Sequence, residues 1–119
     1  MVLVAVDDLM FSVKISTAAK QLGAEVYFER SADKVVASVR EKKPALVIFD
    51  LNSQKLRPIE AIAALKSDPE LKAIPTLGYV SHMDTVVIAA ARQAGADDVL
   101  ARSSFVQRLP ELLTTGSTR

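Results

Sequence analysis

The sequence predicts an α/β fold, a doubly wound (βα)5 three-layer sandwich around a parallel five-stranded sheet in the order 2-1-3-4-5. Three observations predict it. Short continuous apolar runs rich in β-branched residues recur along the chain, as in strands buried on both faces. Between them lie stretches whose apolar residues recur at helical spacing. Glycine, proline and cap-forming residues stand at the junctions. With 119 residues the chain has the length of one domain with one connected interior. Right-handed crossovers and short loops leave few topologies for such a pattern, and 2-1-3-4-5 is the commonest at this size.

Val2-Leu3-Val4-Ala5-Val6 reads as strand 1. Phe11, Ile15, Ala18 and Leu22 follow at helical spacing, with Gly23 as the stop. Glu25 to Phe28 is a shorter second strand. Ser31 is positioned to cap a helix carrying Val35, Val36 and Val39, which Pro44 ends. Leu46-Val47-Ile48-Phe49 is the third and most apolar strand. A polar stretch from Asn52 to Arg57 leads to Pro58, suited to a first helical position, with Ile62 and Leu65 facing inward. Thr76 to Val80 is strand 4, preceded by Pro75. Asp84 caps a helix bearing Val87, Ala91 and Ala94, stopped by Gly95. Val99-Leu100-Ala101 is a weak fifth strand, and Ser104 is the expected cap of a last helix with Phe105, Leu109 and Leu112 inward and Pro110 within it. The expected organisation is one domain over residues 1–113 and a frayed tail over 114–119, in the flavodoxin-like class of α/β folds.

Composition excludes several functions. The chain has no cysteine, so a disulfide scaffold, a cysteine zinc site and a thiol enzyme are ruled out. A net charge of +1 provides no broad electrostatic footprint for nucleic acid or an anionic membrane. The longest apolar runs, such as Val86 to Ala91, are far too short to span a bilayer, and the start lacks the basic region of a signal peptide. The expectation is a cytoplasmic domain with neither nucleic acid nor membrane as partner.

Open parallel sheets bind ligands beyond the carboxyl ends of their strands, where strands 1 and 3 part. The residues in that place are Asp7 and Asp8 after strand 1, Asp50 and Asn52 after strand 3, Ser81 and His82 after strand 4, and Arg102 after strand 5. Converging carboxylates raise one another's pKa values, a cost that a hard cation such as Mg²⁺ relieves. A carboxylate beside Mg²⁺ is also a competent nucleophile toward phosphorus. The plainer roles are equally definite: Asp8 capping the first helix, and Arg102 as a solvated residue pairing with Asp50. His82 is the lone histidine and, without a paired acid or nucleophile, makes a poor catalytic candidate; an exposed or capping loop residue is its plainer role.

Val4-Ala5-Val6-Asp7-Asp8, the Leu46-to-Asn52 segment, Ile74-Pro75 and Gly95-Ala96-Asp97-Asp98-Val99-Leu100 together resemble a response-regulator receiver domain of bacterial two-component signalling, an atypical CheY-like one. The spacing from Asp50 through Pro75 to Gly95 matches without gaps. The resemblance implies Asp50 as phospho-acceptor, and a Mg²⁺ site from Asp7, Asp8, Asp50 and the backbone carbonyl of Asn52. It implies a sensor histidine kinase or other phosphodonor protein upstream and a protein target downstream, contacted through the fourth helix, fifth strand and fifth helix. It also implies a switch rather than a turnover enzyme.

Departures accompany the matches. The hydroxyl position at the end of strand 4 falls on Val80, with Ser81 one place later as a possible substitute. The aromatic position of strand 5 falls on Val99, the lysine position on Arg102 and the following proline position on Ser103, where a trans bond is expected. After Asp50 the proline position is Gln54, and Arg57-Pro58 stands in place of an Asp-Gly turn. Arginine keeps the positive charge but not the geometry of an ammonium. These changes motivate the alternative of a phosphorylation-independent interaction module. A flavodoxin-like cofactor protein is the third reading, disfavoured because Asp7-Asp8 would repel an anionic cofactor.

Overall fold

The computed structural model describes residues 1–116. The strands are β1 (Val2–Ala5), β2 (Val26–Glu29), β3 (Leu46–Asp50), β4 (Thr76–Val80) and β5 (Asp98–Ala101). The helices are α1 (Leu9–Leu22), α2 (Val35–Lys42), α3 (Pro58–Ser67), α4 (Thr85–Ala94) and α5 (Arg102–Thr115), with a single 3-10 turn, Ala32–Lys34, before α2. All strand pairs are parallel and the sheet order is β2-β1-β3-β4-β5, as the apolar pattern predicts.

Side chains alternate between the two faces of the sheet, and this divides the interior into two apolar layers. Val2, Val4, Leu46, Ile48, Leu77 and Tyr79 pack beneath α1 and α5. Leu3, Ala5, Val47, Phe49 and Val80 pack beneath α2, α3 and α4. Gly78 in β4 meets a close neighbour: a Cβ there would lie 2.5 Å from Leu51 Cδ1, so the strand passes under the β3–α3 loop only because a side chain is missing. Gly95 ends α4 at φ 111°, a left-handed conformation that suits glycine.

The boundaries differ from expectation in instructive places. β2 begins at Val26 and runs through Glu29, whose carboxylate accepts from Ser38 Oγ (2.6 Å) and from the backbone N–H groups of Arg30 and Ser31. Buried partners make an acidic residue a strand end there. Ser31 makes no side-chain cap bond, and α2 stops at Lys42, one residue before the left-handed Lys43. α5 starts at Arg102, not after Ser104, so β5 passes directly into the helix. Pro110 lies inside α5, where burial of Leu109, Leu112 and Leu113 outweighs the missing backbone bond. Thr114 and Thr115, placed by composition in a tail, form the last helical turn, with Thr114 Oγ1 donating to the Pro110 carbonyl (2.8 Å). The rest of the expected tail, from 117 to 119, lies outside the described residues.

Candidate phospho-acceptor site

Asp50 is the last residue of β3 and half-buried. Its register partner across the sheet is Tyr79, and alternation along β3 puts the two on the α1/α5 face. One backbone donor serves it: Asn52 N–H to Oδ1 at 3.0 Å. Burial is the main cause that lifts the Asp50 pKa above its ordinary value. The Asn52 N–H and the Arg102 charge oppose the rise, and the charges of Asp8 and Asp7 add to it. Asp50 is thus a desolvated carboxylate near two like charges.

The neighbouring acids are turned to other tasks. Asp8 caps α1, accepting from Phe11 N–H at 3.1 Å through Oδ1. Its Oδ2 receives Arg102 Nη2 at 3.4 Å. Asp7 faces Lys55, with Nζ 3.5 Å from Oδ1. In consequence the expected convergence is incomplete: among the described residues no three carboxylate or imidazole groups are gathered closely enough to hold a metal ion. Cap and ion pair both pull Asp8 away from a shared centre.

Arg102 also departs from expectation. It pairs with Asp8 rather than Asp50, and its guanidinium carbon lies 3.9 Å from the centre of the Phe11 ring. The cause is its place in the first turn of α5, which packs against α1. There it helps wall a groove of about 640 Å³, with Met10, Phe11, Lys14, Ser103 and Val106. Val80 and Val99 are buried together on the opposite layer, so neither a hydroxyl nor an aromatic ring occupies those positions. Ser81 stands just past β4, exposed, and both its N–H (2.6 Å) and its Oγ (3.0 Å) donate to Asn52 Oδ1. His82 is exposed in the same loop.

Three participants escaped the sequence. Tyr79 lies in an aromatic group with Phe105, stacked at 4.7 Å, and Phe11 at 5.1 Å. Its hydroxyl is buried without a hydrogen-bond partner among the described residues. Burial first, then the Asp50 charge, raises its pKa, with Asp8 adding and Arg102 opposing. The only signal was a phenol in a fully buried β4. Lys55, the partner of Asp7, and the Asn52 side chain, the partner of Ser81, left no local signal because both contacts join distant loops.

No protein-family model matches the chain. The curated protein "Probable chemotaxis protein CheY" of Rhizobium etli is 25% identical over 109 residues, 91% of this chain and 84% of that protein. Among solved structures, a response regulator from Hahella chejuensis superposes with a TM-score of 0.84 at 19% identity, covering 99% of this chain and 98% of the other. The Mn(2+)-bound form of response regulator Rcp1 superposes with a TM-score of 0.75 at 19% identity, over 96% of this chain and 95% of that one. The chain is thus similar in sequence to a CheY protein and has the fold of response-regulator receiver domains.

Proposed function

We propose that the chain is a receiver domain in phosphorelay signal transduction, accepting a phosphoryl group on Asp50 and signalling by protein–protein contact. The observation that carries this reading is Asp50 itself: half-buried at the carboxyl end of β3, raised in pKa and held by a single backbone donor. Such a carboxylate leaves its second oxygen free to attack phosphorus in line. A new bond forms between that oxygen and phosphorus, and the bond from phosphorus to the donor's leaving group breaks, the group departing with the electron pair. Arg102, whose charge already acts on Asp50, offers a planar fork for the transferred oxygens once it turns from Asp8.

The donor set suits Mg²⁺ in kind, being made of hard oxygens. Asp7, Asp8, Asp50 and the Asn52 backbone carbonyl would hold it once Asp8 is released from Arg102 and Asp7 from Lys55, and it would neutralise charge on the phosphoryl oxygens. Upstream, a sensor histidine kinase or other phosphodonor protein supplies the group; downstream, a protein target reads it. The domain acts as a switch in the cytoplasm rather than a turnover enzyme. Among the described residues no helix is long and apolar enough to cross a membrane.

A small phosphodonor with Mg²⁺ is expected to add one phosphoryl group by intact mass, and Asp50→Ala to abolish the gain. A wild-type chain that gains nothing overturns the proposal. Burial of Val80 and Val99 in one apolar layer favours a second reading, an interaction module independent of phosphorylation. That reading expects a captured protein partner to bind Asp50→Asn as tightly as wild type, with amide resonances unmoved by phosphodonor.

A further inference from the structure

One side chain joins the two loops that flank the acceptor. Asn52 donates its backbone N–H to Asp50 Oδ1 (3.0 Å), while its side-chain oxygen accepts both the N–H and the hydroxyl of Ser81. The Ser81 hydroxyl has one proton, and that proton is directed at Asn52. Three residues further on, Asp84 N–H donates to the His82 carbonyl (2.8 Å), and Asp84 caps α4 through Val86 and Val87. A continuous set of bonds therefore runs from the Asp50 carboxylate to the first turn of α4.

We propose that Asn52 is a positioning residue which carries the state of Asp50 to the β4–α4 loop, its amide oxygen gripping Ser81. The bond from Asn52 N–H to Asp50 is charge-assisted while the carboxylate is ionised. It weakens when that oxygen loses its charge, and the β3–α3 loop readjusts. Ser81 follows because two donors tie it to Asn52 and its loop is exposed. Val80, buried and apolar, offers no competing hydroxyl at the strand end. The backbone bond serves Asp50 and the side chain serves Ser81, so the two tasks are separable by substitution. The biological trigger rests on phosphorylation of Asp50, but the coupling itself is testable without it.

The test is a double-substitution cycle read by amide resonances. Asp50→Ala should move the resonances of residues 81–87 in the otherwise wild-type chain and leave them still in an Asn52→Ala background. Ser81→Ala, which keeps the N–H donor but removes the hydroxyl, should reduce the response without abolishing it. Thermal unfolding and the dispersion of remaining resonances confirm that each variant is folded. Equal movement of residues 81–87 with and without the Asn52 side chain overturns the proposal, as does no movement in either background. In parallel, phosphodonor with Mg²⁺ should move residues 81–87 of wild type in step with its mass gain, and compared at equal phosphoryl occupancy it should leave them unmoved in Asn52→Ala. Absence of the mass gain in wild type refutes the phospho-acceptor reading alone, since the substitution cycle decides the coupling separately.

Discussion

The two ends of the sheet each carry an aspartate, and they are built to opposite purposes. At the amino-terminal end Asp97 accepts from Lys66 Nζ (2.8 Å), Thr76 N–H (2.8 Å) and Thr76 Oγ1 (3.2 Å), all on Oδ2. Desolvation opposes its charge and is the largest single influence, yet the Lys66 and Thr76 bonds together outweigh it and hold its pKa below the ordinary value. Lys66 Nζ also donates to the carbonyls of Lys72 and Ile74, so α3, the approach to β4 and the approach to β5 are stapled together. At the carboxyl-terminal end Asp50 has one backbone donor, two like charges nearby and a raised pKa. A charge that stabilises a fold is surrounded by donors; Asp50 is left short of them, as the proposed acceptor role requires.

The largest expected effect comes from removing the satisfied carboxylate. Asp97→Ala strands the Thr76 N–H and leaves the mostly covered Lys66 ammonium without its acid, and should cost about 2 kcal/mol, reduced from fully buried values because the Asp97 side chain is 43% exposed. Asp50→Ala should cost nothing or stabilise slightly in the same denaturant titration. Equal losses for the two variants would break the contrast. Tyr79→Phe sharpens it from another side: deleting an unpartnered buried hydroxyl should raise stability by about 1 kcal/mol, and a loss of that size would mean the hydroxyl has a partner in solution. Arg102→Met removes both the pair with Asp8 and the cation over Phe11, and should lower stability by about 0.5–1 kcal/mol.

The smallest effect is in the pH profile, and its sign differs at the two ends. Asp97, depressed in the fold, contributes stability that is present above the ordinary value of 3.8 and is lost as pH falls through the folded pKa. Asp50, raised in the fold, does the reverse. Its contribution is present below 3.8 and is lost as pH rises through its folded value, so acidification across that window relieves a penalty. Thermal midpoints measured in chelator should therefore rise slightly toward pH 3.8 and fall below it. Asp50→Ala should erase the rise and Asp97→Ala should blunt the fall. A midpoint that only declines from neutral pH downward in wild type would contradict the raised Asp50.

The sequence by itself determined the architecture and the place of the candidate site's carboxylates at the strand ends. Five apolar runs with period-3.6 segments between them admit one economical arrangement, and the sheet order follows from handedness and loop length. Asp7, Asp8 and Asp50 were legible because they stand just past apolar runs, and Asp84 and Asp8 were legible as caps because capping is local. What only the tertiary structure decided is the pairing of residues far apart in the chain. Arg102 takes Asp8 rather than Asp50 because α5 begins at that residue and lies along α1. Ser81 takes Asn52 because two loops meet above β3 and β4. Even the tail shortened for this reason: Leu112 and Leu113 bury against the α1 side and draw the helix on through Thr115. Strand and cap preferences are properties of a few consecutive residues, whereas the partner of a charge depends on which elements fold against one another. Local pattern therefore located the carboxylates, and packing chose what each of them holds.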